Sequence, residues 1–346
     1  MSSSSKSREH HWWPVGLQKY WMDRHGQVSW IDPDGKIDNK RVKNRKIAYK
    51  SHGHTMLRGT RGETNFEDEF SSADDKAPKV VETLLGLKPL GRTPAEFLGL
   101  LVKRPRHLRD MCRFYHLDED IHRLLLLLLL SLLIRSPANR FRYENYPARF
   151  GLPPSDDVGK ANMHQQFRIA KKLCETGLLS NQYFVLIHSP RKKFVFGDGS
   201  LDWLTGSLNG LNIDGRTLMT LMPHLCVYFC TPHAMRPTPN CASLSAAPWM
   251  VDWINDIVQI YARDRLFFLG RPPVLTDAFR QRRFREHAPK TDQFIDMLDE
   301  VAGNRFVSSI FGRDTFQFMQ SSPPPALSTM SPEGYAGSRP AAGSRR

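Results

Sequence analysis

The chain has no paired-cysteine motif. Its five cysteines, Cys112, Cys174, Cys226, Cys230 and Cys241, are odd in number and form no CxxC pair. That excludes a disulfide framework or a zinc-finger spacing and points to a reducing cytoplasm. No apolar run reaches the roughly 20 residues of a membrane span. The only candidate, "LLLLLLLSLLI" at 124–134, is bracketed by His122, Arg123 and Arg135 and reads as a helix buried on all sides. The opening "MSSSSKSREHH" lacks the apolar core of a signal peptide. There is no GxSxG elbow, no Walker A loop and no Rossmann fingerprint, so nucleophilic catalysis and the common nucleotide folds have no support. No internal repeat is visible.

What is present is an ordinary globular composition, 346 residues at 40% hydrophobic and 24% charged, with one strong bias: a formal charge of +14. Such a charge favours polyanions as partners. It is concentrated in three runs. Residues 36–50, "KIDNKRVKNRKIAYK", hold seven Lys or Arg against one Asp; 103–113 and 280–287 are further basic runs. Residues 36–50 are therefore the expected nucleic-acid face, and the alternative is a solvated surface. Residues 1–8 and 320–346 are poor in apolar residues and read as disordered.

Between them, 9–319 reads as one α+β domain. Its N-terminal hairpin is "QVSWIDPDGKI", where Pro presets φ and Gly accepts a positive φ. A helical part covers about 64–178. Within it Thr93, Pro94 and Glu96 form a helix start, Asp118–Asp120 and Arg135 flank the leucine helix, and Gly177 closes a helix from 160. A mostly antiparallel, strand-rich part covers about 181–270. There "YFVLIHS" and "KFVFGDG" read as a hairpin, "RTLMTLMPHLCVYFC" as two strands broken at Pro223, "APWMVDWINDIVQIYARD" as a late helix and "RLFFLG" as a last strand. Strands and helices do not alternate as βαβ units.

Several polar residues are candidate site members, each with a structural alternative. His10 and His11 sit beside Trp12, Trp13 and Pro14. Neighbours on an extended chain point in different directions, so one of the two would serve a site while the tryptophans anchor the chain start. His52 and His54 share a face if extended, and with His10 they would make a three-histidine set. Asp198 in "FVFGDGSLDW" is an acid at the lip of a strand, its glycines either forming a tight turn or letting a ligand approach. Arg135 and Arg140, with Arg142 and Glu144 beyond, suit a phosphate or carboxylate, or else cap a helix end. Glu67, Asp68 and Glu69 in "NFEDEF" are carboxylate ligands or an acidic first helical turn.

Taken in order, "HHWWPVGLQKYWMDRHGQVSWIDPDG", "NFEDEF", "LLIRSPANR", "FVFGDGSLDW" and "VDWINDIVQIYARDRLFF" resemble a large bacterial family of proteins of unknown function. That family opens with a His-His-x-x-Pro segment and carries a Ser-Asp-Asn-Pro-like segment after a central strand. The resemblance covers about residues 9–270; Gly197-Asp198-Gly199 keeps the acid and departs from its neighbours. It implies a bacterial cytoplasmic or mobile-element protein in which His10, His11, Glu67, Arg135, Arg140 and Asp198 share one site. The resulting expectation is a divalent-metal-dependent hydrolase acting on nucleic acid or a nucleotide. In it His11 and Asp198 are catalytic, His10, Glu67 and Asp198 hold the ion, and Arg135 and Arg140 clamp phosphate. The competing expectation is a non-catalytic nucleic-acid-binding or protein-interaction module.

Overall fold

The computed structural model describes residues 9–44, 47–57, 63–103, 105–202, 215–232, 239–283 and 289–303. The leader 1–8 and the tail 320–346, expected to be disordered, lie outside the described residues, as do the domain boundary at 319 and Arg45, Lys46, Arg104 and Arg285 of the basic runs.

In chain order the elements are β1 (Glu9–His11), α1 (Val15–Gln18), β2 (Gln27–Ile31), β3 (Ile37–Arg41), β4 (Tyr49–Ser51), β5 (Thr55–Leu57) and β6 (Glu63–Asn65). Then come α2 (Asp68–Asp74), α3 (Ala77–Gly86), α4 (Pro94–Lys103), β7 (Arg113–Tyr115), α5 (Glu119–Arg135), α6 (Pro137–Glu144) and α7 (Asp156–Glu175). The last group is β8 (Tyr183–His188), β9 (Phe196–Gly197), β10 (Leu201–Asp202), β11 (Arg216–Met222), β12 (Leu225–Cys230), β13 (Cys241–Ser245), α8 (Pro248–Tyr261), β14 (Leu266–Phe268), α9 (Asp277–Arg280) and α10 (Pro289–Val301). The class is α+β.

A six-stranded sheet, β10-β11-β12-β8-β13-β7, forms the middle layer, antiparallel except for β8 beside β13. Side chains alternate across a strand, and both faces here are covered. Phe184 and Leu186 of β8 and Leu225, Val227 and Phe229 of β12 enter a cluster with the leucines of α5. Tyr183, Val185 and Ile187, with Cys226, Tyr228 and Cys230, enter a second cluster with Ile254 and Ile257 of α8 and Phe294 and Leu298 of α10. All five cysteines are buried and unbridged, packing as small apolar groups.

The leucine run is the buried helix its composition predicts. Asp118 accepts from the Ile121 N–H at 2.8 Å to start α5, and residues 125–135 are all buried. Ser136 ends α5 and starts α6, accepting from the Asn139 N–H at 3.2 Å with Pro137 in the first turn. Among the described residues no single helix is long and apolar enough to cross a membrane. The α4 start is a capping box: the Thr93 hydroxyl accepts from the Glu96 N–H at 3.2 Å and the Glu96 carboxylate accepts from the Thr93 N–H at 3.5 Å, and from the Arg92 N–H at 3.2 Å.

A second sheet, β3-β2-β14-β9, carries the N-terminal hairpin, and Gly35 in its turn adopts φ 87°. One expected pairing fails. β8 and β9 are not a hairpin: β8 lies between β12 and β13, while β9 pairs with β14 in the other sheet. The link between them is used instead to brace the β11–β12 turn, the Phe194 N–H donating to Pro223 O at 2.8 Å and the Thr220 hydroxyl to Val195 O at 2.6 Å.

Candidate metal centre

Two small strand pairs bring three ligand-type side chains together. In β1, His10 lies opposite Lys50 of β4. The chain then turns back through His52, held at φ 52°, and Gly53, whose N–H donates to Lys50 O at 3.2 Å. This places His54 over His10, their rings stacked with centroids 5.1 Å apart, and the His54 N–H donates to His10 Nδ1 at 2.6 Å. The β5–β6 pairing sets Thr55 opposite Asn65, and the Phe66 N–H donates to His54 O at 3.0 Å. Glu67 is thereby delivered to His54, whose Nδ1 bonds its Oε2. One ligand atom from each of His10, His54 and Glu67 lies within 4.8 Å of the others.

His10 and His54 are buried and Glu67 is half-buried. Burial pushes the His54 imidazole down to about 4, against the raising effect of Glu67, so at neutral pH the ring is uncharged and donates from Nδ1. Burial alone would raise Glu67, but the bond from His54 and the nearby Arg135 charge hold it below the usual carboxylate range. Asn65 links two members: its Oδ1 accepts from the Glu67 N–H at 3.0 Å and its amide nitrogen lies 3.3 Å from His10 Nε2. Phe66 and Phe70 wall the His54 ring at 5.4 and 5.0 Å between centroids. His164 stacks on Phe66 and bonds Glu69 at 2.7 Å.

The donor set fits a borderline divalent ion: two imidazoles and one carboxylate are the ligands of many catalytic zinc sites, which keep a fourth position open. Tetrahedral donors at about 2.1 Å from an ion stand about 3.4 Å apart, so small side-chain movements would suffice. Loading an ion would open the His54–Glu67 bond and free one His10 ring nitrogen from its contact with the His54 N–H or the Asn65 amide.

The structure does not gather the other expected site members here. His11 points to the opposite face of β1, beside Tyr49 at 6.3 Å between centroids, and its carbonyl accepts from Arg135 at 3.2 Å. His52 is in the turn and outside the ligand set. Both arginines of the expected phosphate clamp are engaged by the fold. Arg135 is fully buried and pairs with both oxygens of Asp74, at 2.9 and 2.6 Å, over the Phe70 ring. Arg140 bonds Glu144 at 2.5 Å, Asp156, and Gly53 O at 3.1 Å. Arg142 pairs with Asp202 at 3.4 Å.

Asp198 is likewise taken up as a structural acceptor and is outside the ligand set. Its two oxygens accept from the N–H groups of Arg263 at 2.7 Å and Asp264 at 3.0 Å. The flanking glycines make room for protein, not ligand. A Cβ on Gly199 would stand 2.1 Å from Tyr261 O and 2.5 Å from Ala138 Cβ, and one on Gly197 would stand 2.9 Å from Ala262 Cβ. Sequence reasoning grouped His54 with His52 and did not single out Asn65. The available signal was the glycine in "SHGH", where a Cβ would crowd Lys50 O at 3.2 Å in the reversal that stacks His54 on His10. No family model, curated protein or solved structure matches the chain.

Proposed function

We propose that the chain is a metal-dependent hydrolase whose divalent ion is held by His10, His54 and Glu67. The observation that carries this reading is the convergence of those three donors from β1, the turn after β4 and the end of β6. A bound ion would supply a Lewis acid and an activated water at neutral pH. The protein's part is to present the two imidazoles, to orient Glu67 through Asn65, and to wall the site with Phe66 and Phe70. A phosphodiester or nucleotide substrate is supported by the charge of +14 and by exposed Lys36, Lys40, Arg41 and Lys43 on and beside β3; it has no support from Arg135 or Arg140.

The test is zinc uptake by chelator-stripped protein, followed by cleavage of bis(p-nitrophenyl) phosphate. One equivalent is expected to bind, and at 100 times Kd to raise stability by about 2.7 kcal/mol. His54→Ala and Glu67→Gln should lose uptake and cleavage together. No uptake by the parent would refute the centre. The second reading, a non-catalytic nucleic-acid-binding module, is favoured by the commitment of Arg135, Arg140 and Asp198 to the fold. Its signature is salt-dependent binding without any metal requirement.

A further inference from the structure

The stretch from α6 into the following turn exposes aromatic rings that the core does not use. Pro147 and the left-handed Gly151, φ 71°, bound a short 3-10 turn over Tyr146–Phe150. Phe150 is 67% exposed, Tyr146 44% and Phe141 36%. The three rings are interleaved with arginines. The Arg149 guanidinium lies 5.6 Å from the Tyr146 centroid and that of Arg263 lies 3.9 Å from the Phe141 centroid. Tyr146 and Phe150 meet edge to face at 5.5 Å. Asp264 pairs with Arg263 at 3.4 Å.

We propose that Phe141, Tyr146, Arg149, Phe150 and Arg263 form a binding face for single-stranded nucleic acid. Aromatic faces stack on bases without regard to sequence, and guanidiniums beside them meet the phosphates. The net charge of +14 supplies the complementary field. A bilayer fits less well. Insertion of these rings would carry the guanidiniums lying on them below the headgroups, whereas a stacked base leaves them at the strand's backbone. The same helix reaches the candidate metal centre, since Arg140 donates to Gly53 O next to His54. The inference names a substrate class for the proposed hydrolase and rests on its phosphodiester reading, but not on the ion.

The test is fluorescence anisotropy of the full chain with labelled 20-mer oligo-dT and oligo-U, with a duplex of equal length, all in EDTA and over a range of KCl. Single strands should bind more tightly than the duplex. The double variant Tyr146→Ala/Phe150→Ala should bind oligo-dT at least about tenfold more weakly, while Phe150→Trp keeps binding. Arg149→Gln should lower the salt slope by about 0.7. These residues are exposed, so melting temperatures should match the parent. Equal affinity for duplex and single strand, or a double variant that binds oligo-dT like the parent, would overturn the proposal. So would loss in that variant of binding to phosphatidylserine vesicles alone. Measurement in EDTA separates this result from failure of the metal centre.

Discussion

Replacing Asp198 by Ala separates a structural acid from a site acid, because the structure ties a pH-dependent stability to it. Its carboxylate is buried and accepts two backbone N–H groups just beyond the end of α8. Losing both acceptors costs about 1–3 kcal/mol each when the donors are shut from water. Arg263 and Asp264 are partly exposed, so the expected sum is about 2–4 kcal/mol. Burial outweighs the bonds from these amides and pushes the Asp198 carboxyl up to about 6. A raised acid binds its proton in the folded chain before it does so in the unfolded one. Its contribution is therefore full below the unfolded value near 3.8 and is lost as pH rises through about 6. Across that window the loss is about 3 kcal/mol. Urea unfolding of the parent and of Asp198→Ala should give a parent margin of about 2–4 kcal/mol at pH 4 that shrinks towards pH 7.5. Asp198→Asn, which cannot titrate, should show no such trend against the Ala variant. Zinc uptake should be unchanged in both. A margin that stays flat or grows with pH, or loss of zinc uptake, would refute the structural assignment.

Four further outcomes follow from the packing. Leu127→Asp places a charge among the leucines of α5 and should leave the chain unfolded or insoluble; a soluble variant with the parent's melting temperature would show that the helix is not core. Gly199→Ala should destabilise by more than a routine surface change, since its Cβ would overlap a backbone carbonyl, and parent-like urea unfolding would contradict that packing. Trp13→Ala, at a fully buried ring, should cost about 3–5 kcal/mol in the same assay. Asn65→Ala should weaken zinc binding by about 10–100-fold by isothermal titration with little change in melting temperature, and unchanged affinity would remove Asn65 from the centre.

Periodicity and caps were the legible part of the fold. The leucine helix, the Thr93 capping box, the Asp-Pro-Asp-Gly hairpin and the β11–β12 pair all rest on neighbours a few residues apart, and all are present. Pairings between distant segments were not legible. β8 is buried at every position and its central residues, Phe184–Ile187, carry no polar alternation to say which strand it joins; it enters the sheet centre instead of pairing with β9. The short strands β5 and β6 have almost no signal of their own, yet they deliver Glu67 to His54. Of the expected site, His10 and Glu67 converge because both belong to such strand ends. Arg135, Arg140 and Asp198 look equally polar in sequence, but Asp74 lies 61 residues from Arg135, Asp156 lies 16 from Arg140 and the amides of 263 and 264 lie 65 and 66 from Asp198.

The two histidines at the chain start show how anchoring and chemistry are divided. Along β1 adjacent side chains must face opposite ways, so His10 goes into the buried side and His11 does not. The residues after them lock the strand. Trp13 is fully buried, with ring centroids 4.5 Å from Phe196 and 4.8 Å from Phe267. The Trp12 N–H donates to Ala48 O at 3.0 Å, and the fully buried Arg135 holds the His11 carbonyl. Those contacts fix the backbone on both sides of β1 without using the His10 ring. Its position is therefore set by the fold while its ring faces His54, Asn65 and the proposed ion. His10→Ala should then abolish zinc uptake and cost about 1–3 kcal/mol, since the buried His54 N–H loses its acceptor, whereas His11→Ala should spare uptake. Equal loss of uptake in both variants, measured on metal-stripped protein, would mean that the chain start as a whole, and not the buried ring, makes the centre.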